Sequence, residues 1–222
     1  MDRCYLLVEG QTEETFANRM LVPHLYSVGF YSVATVVVET KRLAAGGKVK
    51  GGISSWPKVR DDIVRLVRDR GSLVTTLIDF YGLPEGAPGM NGLHPGWSPQ
   101  QRIAHVEAAL KTDVGSENFL PHVVLHEFEA LLYADPSVVA AHFGDDDIAT
   151  AMHEDLTACG GPEFVNEGPD TAPSKRLMKH RPGYAKTTDG PAILADIGLP
   201  TIRNECPHFD AWLSAVESHA PR

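Results

Sequence analysis

Cysteine is scarce in this sequence: Cys4, Cys159 and Cys206 are the three among 222 residues. Their number is odd, their spacings are long and no CxxC pair occurs, which argues against a disulfide framework and against a zinc ribbon. No apolar run reaches the roughly 18–20 residues that a membrane-crossing helix needs. The longest, residues 27–38, is closed by Glu39. The opening Met1-Asp2-Arg3-Cys4 lacks the pattern of a signal peptide, so a cytoplasmic location and no membrane partner are expected. A Gly-Lys-Ser/Thr triplet at Walker A spacing is missing even from the glycine-rich stretch Gly46-Gly47-Lys48-Val49-Lys50-Gly51-Gly52, so nucleotide hydrolysis is not expected. A Gly-x-Ser-x-Gly elbow is missing too, which places serine hydrolase chemistry low.

What is present is an ordinary globular balance, with 43% apolar and 22% charged residues, enough to bury a core. The net charge of −9 argues against sequence-blind coating of nucleic acid, which needs lysine and arginine over the phosphates. That average hides an asymmetry. Residues 112–174 contain thirteen acidic side chains and no lysine or arginine. By contrast, Lys41, Arg42, Lys48, Lys50, Lys58 and Arg60 follow one another without an acid, and Lys175, Arg176, Lys179, Arg181 and Lys186 form a second basic run beside His180. These are the two places where a polyanion could be gripped, although charged runs are commonly no more than solvated surface.

Apolar runs and turn residues set out an alternating pattern. Strands are expected over residues 4–8, 33–38, 73–78 and 121–125, and helices after Gly10, from Trp56, and over residues 99–111. Thr12 is expected to cap the first helix, with Glu13 and Glu14 in its first turn, and Pro23 to bend or end it. Residues 44–55 and 82–97 read as loops, residues 138–159 read as helical, and Asp145, Asp146 and Asp147 read as the beginning of a helix. The expected fold is α/β, a parallel sheet of about four strands with helices on both faces, over residues 1–135. A mainly helical C-terminal extension is expected over residues 136–222.

Open parallel sheets place their sites at the carboxyl ends of the strands. The first strand ends at Glu9, the third at Asp79 and the fourth at Glu127, with Glu129 just beyond. Carboxylates gathered on one edge repel one another unless they share a proton or hold a cation. Hard oxygen ligands suit Mg2+ or Mn2+. His126 reads as a general base, a metal ligand or a packed strand-end histidine, whereas Glu13 and Glu14 read as first-turn acids that complement the helix dipole.

Leu7-Val8-Glu9-Gly10-Gln11-Thr12-Glu13 resembles the opening motif of TOPRIM domains, above all those of OLD-type nucleases. Together with Ile78-Asp79-Phe80-Tyr81-Gly82-Leu83-Pro84 and Leu125-His126-Glu127-Phe128-Glu129-Ala130-Leu131-Leu132, it makes nearly the whole chain similar to a bacterial TOPRIM-like family, domain of unknown function 4276. The resemblance implies a TOPRIM-like, Rossmannoid sheet, an acid/base role for Glu9 and magnesium binding by an Asp-x-Asp pair of which Asp79 is the first member. Tyr81 stands where the second Asp would be, and Glu127 or Glu129 is the expected replacement. The resemblance also implies an AAA-type or SMC-like ATPase partner in mobile-element defence.

The function expected from these readings is Mg2+- or Mn2+-dependent phosphodiester hydrolysis. Glu9, Asp79 and Glu127 would be catalytic, Glu129 would join them as a metal ligand, and Lys48, Lys50, Lys175, Arg176 and Lys186 would contact nucleic acid. The rival reading is a catalytically degenerate interaction subunit of an ATPase complex.

Overall fold

A computed structural model describes residues 1–38, 53, 55–165 and 171–221. Lys48, Lys50 and most of the expected 44–55 loop lie outside the described residues. The chain forms two compact units, residues 1–123 with 215–222, and residues 124–214. The division falls earlier than the 135/136 boundary expected from composition, and the last eight residues belong with the first unit.

The first unit is α/β. Strands β1 (Arg3–Val8), β2 (Ser32–Val37), β3 (Ser72–Asp79) and β4 (Phe119–Leu120) lie in the order β2-β1-β3-β4, and β5 (Val123–Val124) pairs with β3. β1 runs parallel to both β2 and β3, in the register Val8 to Val37 and Val8 to Leu77. All eight residues of β3 are buried, as its near-continuously apolar sequence leads one to expect of a central parallel strand.

The expected fourth strand is two short pieces, because Pro121 has no N–H to give to a ladder. Threonine side chains of β3 fill the gap. Thr76 Oγ1 accepts from the His122 N–H and donates to the His122 carbonyl, both at 2.8 Å, and Thr75 Oγ1 donates to the Leu120 carbonyl at 2.7 Å.

Flanking the sheet are α1 (Gln11–Phe16), α2 (Val22–Ser27), α3 (Trp56–Leu66) and α4 (Pro99–Val114). Gly10, not Thr12, is the cap of α1, and Thr12 is buried inside the helix. Nor does Pro23 stop the chain's helical course. A π turn over Ala17–Leu21 joins α1 to α2, whose first turn holds Pro23. The wider turn is where the bond that proline cannot make is absorbed. α4 starts as its sequence specifies, with Ser98 and Gln101 forming a reciprocal capping box. Trp56 Nε1 and Arg60 Nε from α3 both donate to Asp113 Oδ2 at 2.9 Å, tying α3 to α4. The chain's end is held here as well: the Met1 amino group donates to the His219 carbonyl at 2.8 Å, and His24 Nε2 lies 2.6 Å from Glu217 Oε1.

The second unit is helical, with a 3-10 run over Phe128–Ala134 followed by α5 (Pro136–Phe143), α6 (Asp146–Cys159), α7 (Pro173–His180), α8 (Asp189–Ile197), α9 (Leu199–Glu205) and most of α10 (Pro207–Glu217). The helical stretch expected over 138–159 is two helices, and the acids from Asp145 begin the second, as expected. Gly144 adopts a left-handed conformation at φ 65° that ends α5, and Asp145 caps α6 by accepting from the Asp147 N–H. Among the described residues no helix is long and apolar enough to cross a membrane.

Candidate functional site: strand-end carboxylates

Glu9 follows β1 directly and Asp79 is the last residue of β3. Since Val8 pairs with Leu77, continuing the register brings Glu9 beside Ile78, one residue short of Asp79. The two carboxylates therefore leave neighbouring parallel strands, whose spacing is about 4.8 Å, on the same edge of the sheet. Glu9 Oε2 and Asp79 Oδ1 are both shielded from solvent. After Asp79 the chain enters a 3-10 turn, Phe80–Gly82, and Gly82 lies against the Glu9 carboxylate. Any side chain at residue 82 would intrude on that carboxylate, so glycine is required for this close approach. Tyr81, on the same turn, is about half exposed.

A third carboxylate joins this edge that the sequence reading set aside. Glu13 is 4% exposed, and its Oε2 lies 3.5 Å from where a Cβ on Gly10 would stand. A first-turn acid that only answers the helix dipole has no need of burial. The only sequence signal for it was its place at the end of the Glu9-to-Glu13 motif, since first-turn acids are common without a site. Elsewhere in this unit, His122 is buried with its Nδ1 3.5 Å from Glu107 Oε1, while the same Glu107 oxygen accepts from the Val123 N–H at 2.9 Å. That pair anchors the start of β5.

Glu127 and Glu129 lie in the second unit, on a strained approach. His126, buried, has a positive φ of 78°, unusual for a residue other than glycine, and Glu127 is extended before the 3-10 run starts. Glu127 Oε2 accepts from the Ser174 N–H in the first turn of α7 at 3.1 Å. Glu129 is 0% exposed. Lys186 Nζ donates to its Oε2 at 3.0 Å, and the Tyr184 hydroxyl to its Oε1 at a long 3.4 Å. Burial pushes the Glu129 carboxyl above the usual range; the Lys186 charge opposes that rise and the Glu127 charge adds to it.

The second basic run is divided by the fold. Lys175 is exposed on α7. Arg176 instead donates through Nε to the Thr171 carbonyl at 2.9 Å and through a guanidinium nitrogen to Asp155, which also meets the Tyr133 hydroxyl at 3.1 Å and His180 Nε2 at 2.8 Å. Ser174 and Tyr184, in the same stretch of sequence, are buried. Arg176 is thus part of a packed network around Asp155 rather than an open cationic surface.

The first unit is a parallel α/β unit with acids at the ends of two adjacent central strands, the edge at which open parallel sheets commonly carry a ligand site. Residues 8–217 match the family described as Domain of unknown function (DUF4276), and the chain belongs to that family. Comparison with curated proteins and with solved structures finds no match in either.

Proposed function

We propose that this protein is a Mg2+- or Mn2+-dependent nuclease, or a related phosphoryl-transfer enzyme, with a TOPRIM-like carboxylate site. The observation that carries the reading is the pair Glu9 and Asp79, on the ends of adjacent parallel strands with a carboxylate oxygen of each withdrawn from solvent. Hard carboxylate oxygens in a shielded position fit a small divalent cation and fit no soft metal. Glu13 adds a further oxygen donor at the same edge. Glu127 and Glu129, in the second unit, remain candidate carboxylates of the reading, each to be tested by its own variant.

A divalent ion held by these groups would polarise a phosphate oxygen and lower the pKa of a bound water. Asp79 is positioned by a strand buried along its whole length, which fixes its carboxylate before any substrate arrives. Glu9 is pressed against Gly82, which limits its rotamers and keeps it on the edge as acid/base or ligand. Lys175 and Lys186 are the phosphate-contacting residues of the reading among the described ones, together with Lys48 and Lys50, which lie outside them. Arg176 acts instead through the Asp155 network.

A second reading draws on Tyr81. An exposed aromatic side chain two residues after Asp79 is what a degenerate site used for docking to an ATPase partner would carry. Calorimetric titration of Mn2+ into the wild type and Asp79→Asn at neutral pH separates the two. Saturable binding that Asp79→Asn loses supports the metal-dependent reading and leads to a nuclease screen with Glu9→Gln as control. No binding to the wild type favours the interaction subunit.

A further inference from the structure

Two of the three tryptophans are core residues. Trp56 and Trp212 are each 5% exposed, Trp56 bonded to Asp113 and Trp212 packed on Phe209 with ring centroids 5.3 Å apart. Trp97 is placed otherwise. It closes the glycine- and proline-rich stretch between β3 and α4 and is partly exposed. Its indole lies 4.9 Å from the ring of His105 on α4 and 6.2 Å from that of His94, an exposed residue of the same stretch. The stretch is held firmly. The Gly96 N–H donates to His94 Nδ1 at 3.1 Å, and Arg102 Nη2 to the Pro95 carbonyl at 3.0 Å. Gly89, at φ 85°, lies so close to α4 that a Cβ there would stand 3.0 Å from the Val106 Cα, and a Cβ on Gly92 would stand 3.0 Å from His105 Nε2. A long connection kept in place by this much packing is more than a linker.

Topology sets this cluster on the edge of the sheet that carries Glu9 and Asp79. β4 runs parallel to β3, so α4 must return the chain from the carboxyl edge to the amino edge. The far end of α4, Val114, lines one hollow with Met1, which precedes β1 at the amino edge. The sixteen residues of α4 span about 24 Å, which leaves its first turn, and Trp97 just before it, toward the carboxyl edge. Resting on the nuclease reading above, we infer that Trp97, flanked by His94 and His105, is a stacking platform for an unpaired nucleobase, and that the substrate is therefore single-stranded nucleic acid. Aromatic side chains bind bases through the flat faces that a duplex keeps stacked and hidden. Stacking also answers the charge problem of this chain. With a net charge of −9 it gains little from neutralising phosphates along a strand, whereas a base on an indole needs no net positive charge. Arg102, tied to Pro95 two residues from Trp97 and without an ion pair among the described residues, supplies one local cation for the phosphate beside the stacked base.

The test is fluorescence anisotropy of a labelled oligothymidylate of about twelve nucleotides, within the usual span of a single-strand groove, titrated with the full chain. Ca2+ is present throughout as a hard cation that offsets the carboxylates. Trp97→Ala should weaken binding by about tenfold to a hundredfold, the scale of one lost base–aromatic stack, while Trp97→Phe should keep most of the affinity. Wild-type affinity in Trp97→Ala overturns the inference. A second comparison needs no variant. An abasic strand of the same length carries the same phosphates and no bases, and the wild type should bind it at least about tenfold more weakly. Equal affinity for the two strands, or no binding of the oligothymidylate at all, overturns the platform. A blunt duplex should compete poorly, and free thymidine monophosphate that displaces the strand at equal nucleotide concentration overturns the strand as the ligand. Mn2+ titration of Trp97→Ala keeps the two readings apart. If wild type and Trp97→Ala bind Mn2+ alike and bases make no difference to strand binding, the platform alone fails. If the strand binds through Trp97 and Mn2+ does not bind at all, the metal-dependent reading fails and the platform stands as a single-strand binding site.

Discussion

Gly82 and the carboxylate of Glu9 are in direct contact: a Cβ at residue 82 would stand 2.0 Å from Glu9 Oε2. Gly82 is not in the left-handed region, so its backbone accepts alanine and the conflict is with Glu9 alone. Gly82→Ala should therefore cost little stability, under about 1 kcal/mol, because a flexible side-chain end can swing aside. It should weaken Mn2+ binding about as much as Glu9→Gln does. Thermal melts with parallel calorimetry check this, and wild-type affinity in Gly82→Ala would show that the position of Glu9 over the turn is immaterial to the metal.

Asp155 receives three side chains in the second unit, from Tyr133, Arg176 and His180. Asp155→Ala strands a largely buried guanidinium and a buried phenol, and should cost about 3–5 kcal/mol, whereas Tyr133→Phe, losing one hydrogen bond, should cost about 1 kcal/mol. Arg176→Ala should likewise lose stability, while Lys175→Ala, at an exposed position, should stay within about 0.5 kcal/mol of wild type. Urea denaturation measures all four. A fully stable Arg176→Ala that had lost nucleic-acid affinity would return Arg176 to the phosphate-binding surface.

These contacts show which parts of the molecule were legible beforehand. β1 and β3 could be read directly, because a strand buried on both faces needs a nearly continuous apolar run, and an acid closing such a run stands out as a candidate. Glu9 and Asp79 followed from that logic. The fourth strand could not be placed to the residue, since the partners that bridge its break at Pro121 are Thr75 and Thr76, more than forty positions earlier. The burial of Glu13 was hidden because a first-turn glutamate reads the same whether its carboxylate faces water or the sheet edge. Likewise the Lys175-to-Lys186 run looked like one basic patch. Its division into an exposed lysine, an arginine held by Asp155 and a lysine held by Glu129 depends on contacts between residues 21 and 57 positions apart.

Glu129→Gln should stabilise the protein at neutral pH. Burial raises the Glu129 carboxyl above the usual range, so the folded state holds a proton that the unfolded state has released, and stability falls as pH rises through that window. The penalty is fully present above the folded pKa and absent below the unfolded value of 4.5. The partner left behind, Lys186, is half exposed and can turn to water, so removing the carboxylate does not bury an unpaired charge. A gain of about 1 kcal/mol is expected at pH 7, vanishing near pH 4, by urea titration at both. A destabilised variant at pH 7 would mean that the ion pair outweighs the burial of its carboxylate.

The thiols provide an independent check on burial in both units. Cys4 is 1% exposed in β1 and Cys206 is 0% exposed after α9, while Cys159 at the end of α6 is partly accessible. Burial pushes the Cys4 thiol from 9.0 up to about 12, and Cys206 is raised by burial first and then by the charges of Glu163 and Glu205. Iodoacetamide at pH 8 should therefore label Cys159 in the native protein and spare the other two, with all three reacting in urea, as peptide mass spectrometry would read. The same shift fixes an alkaline limb. Below pH 9 both states hold the Cys4 proton and nothing is gained or lost. Between pH 9 and about 12 the unfolded chain releases a proton that the folded chain keeps, so stability declines as pH rises. Cys4→Ala should flatten that decline, although the small cavity it leaves in β1 lowers stability at every pH. An equally steep decline in the variant would assign the alkaline loss to other groups, and labelling of native Cys4 at pH 8 would mean that β1 opens on the timescale of the reaction.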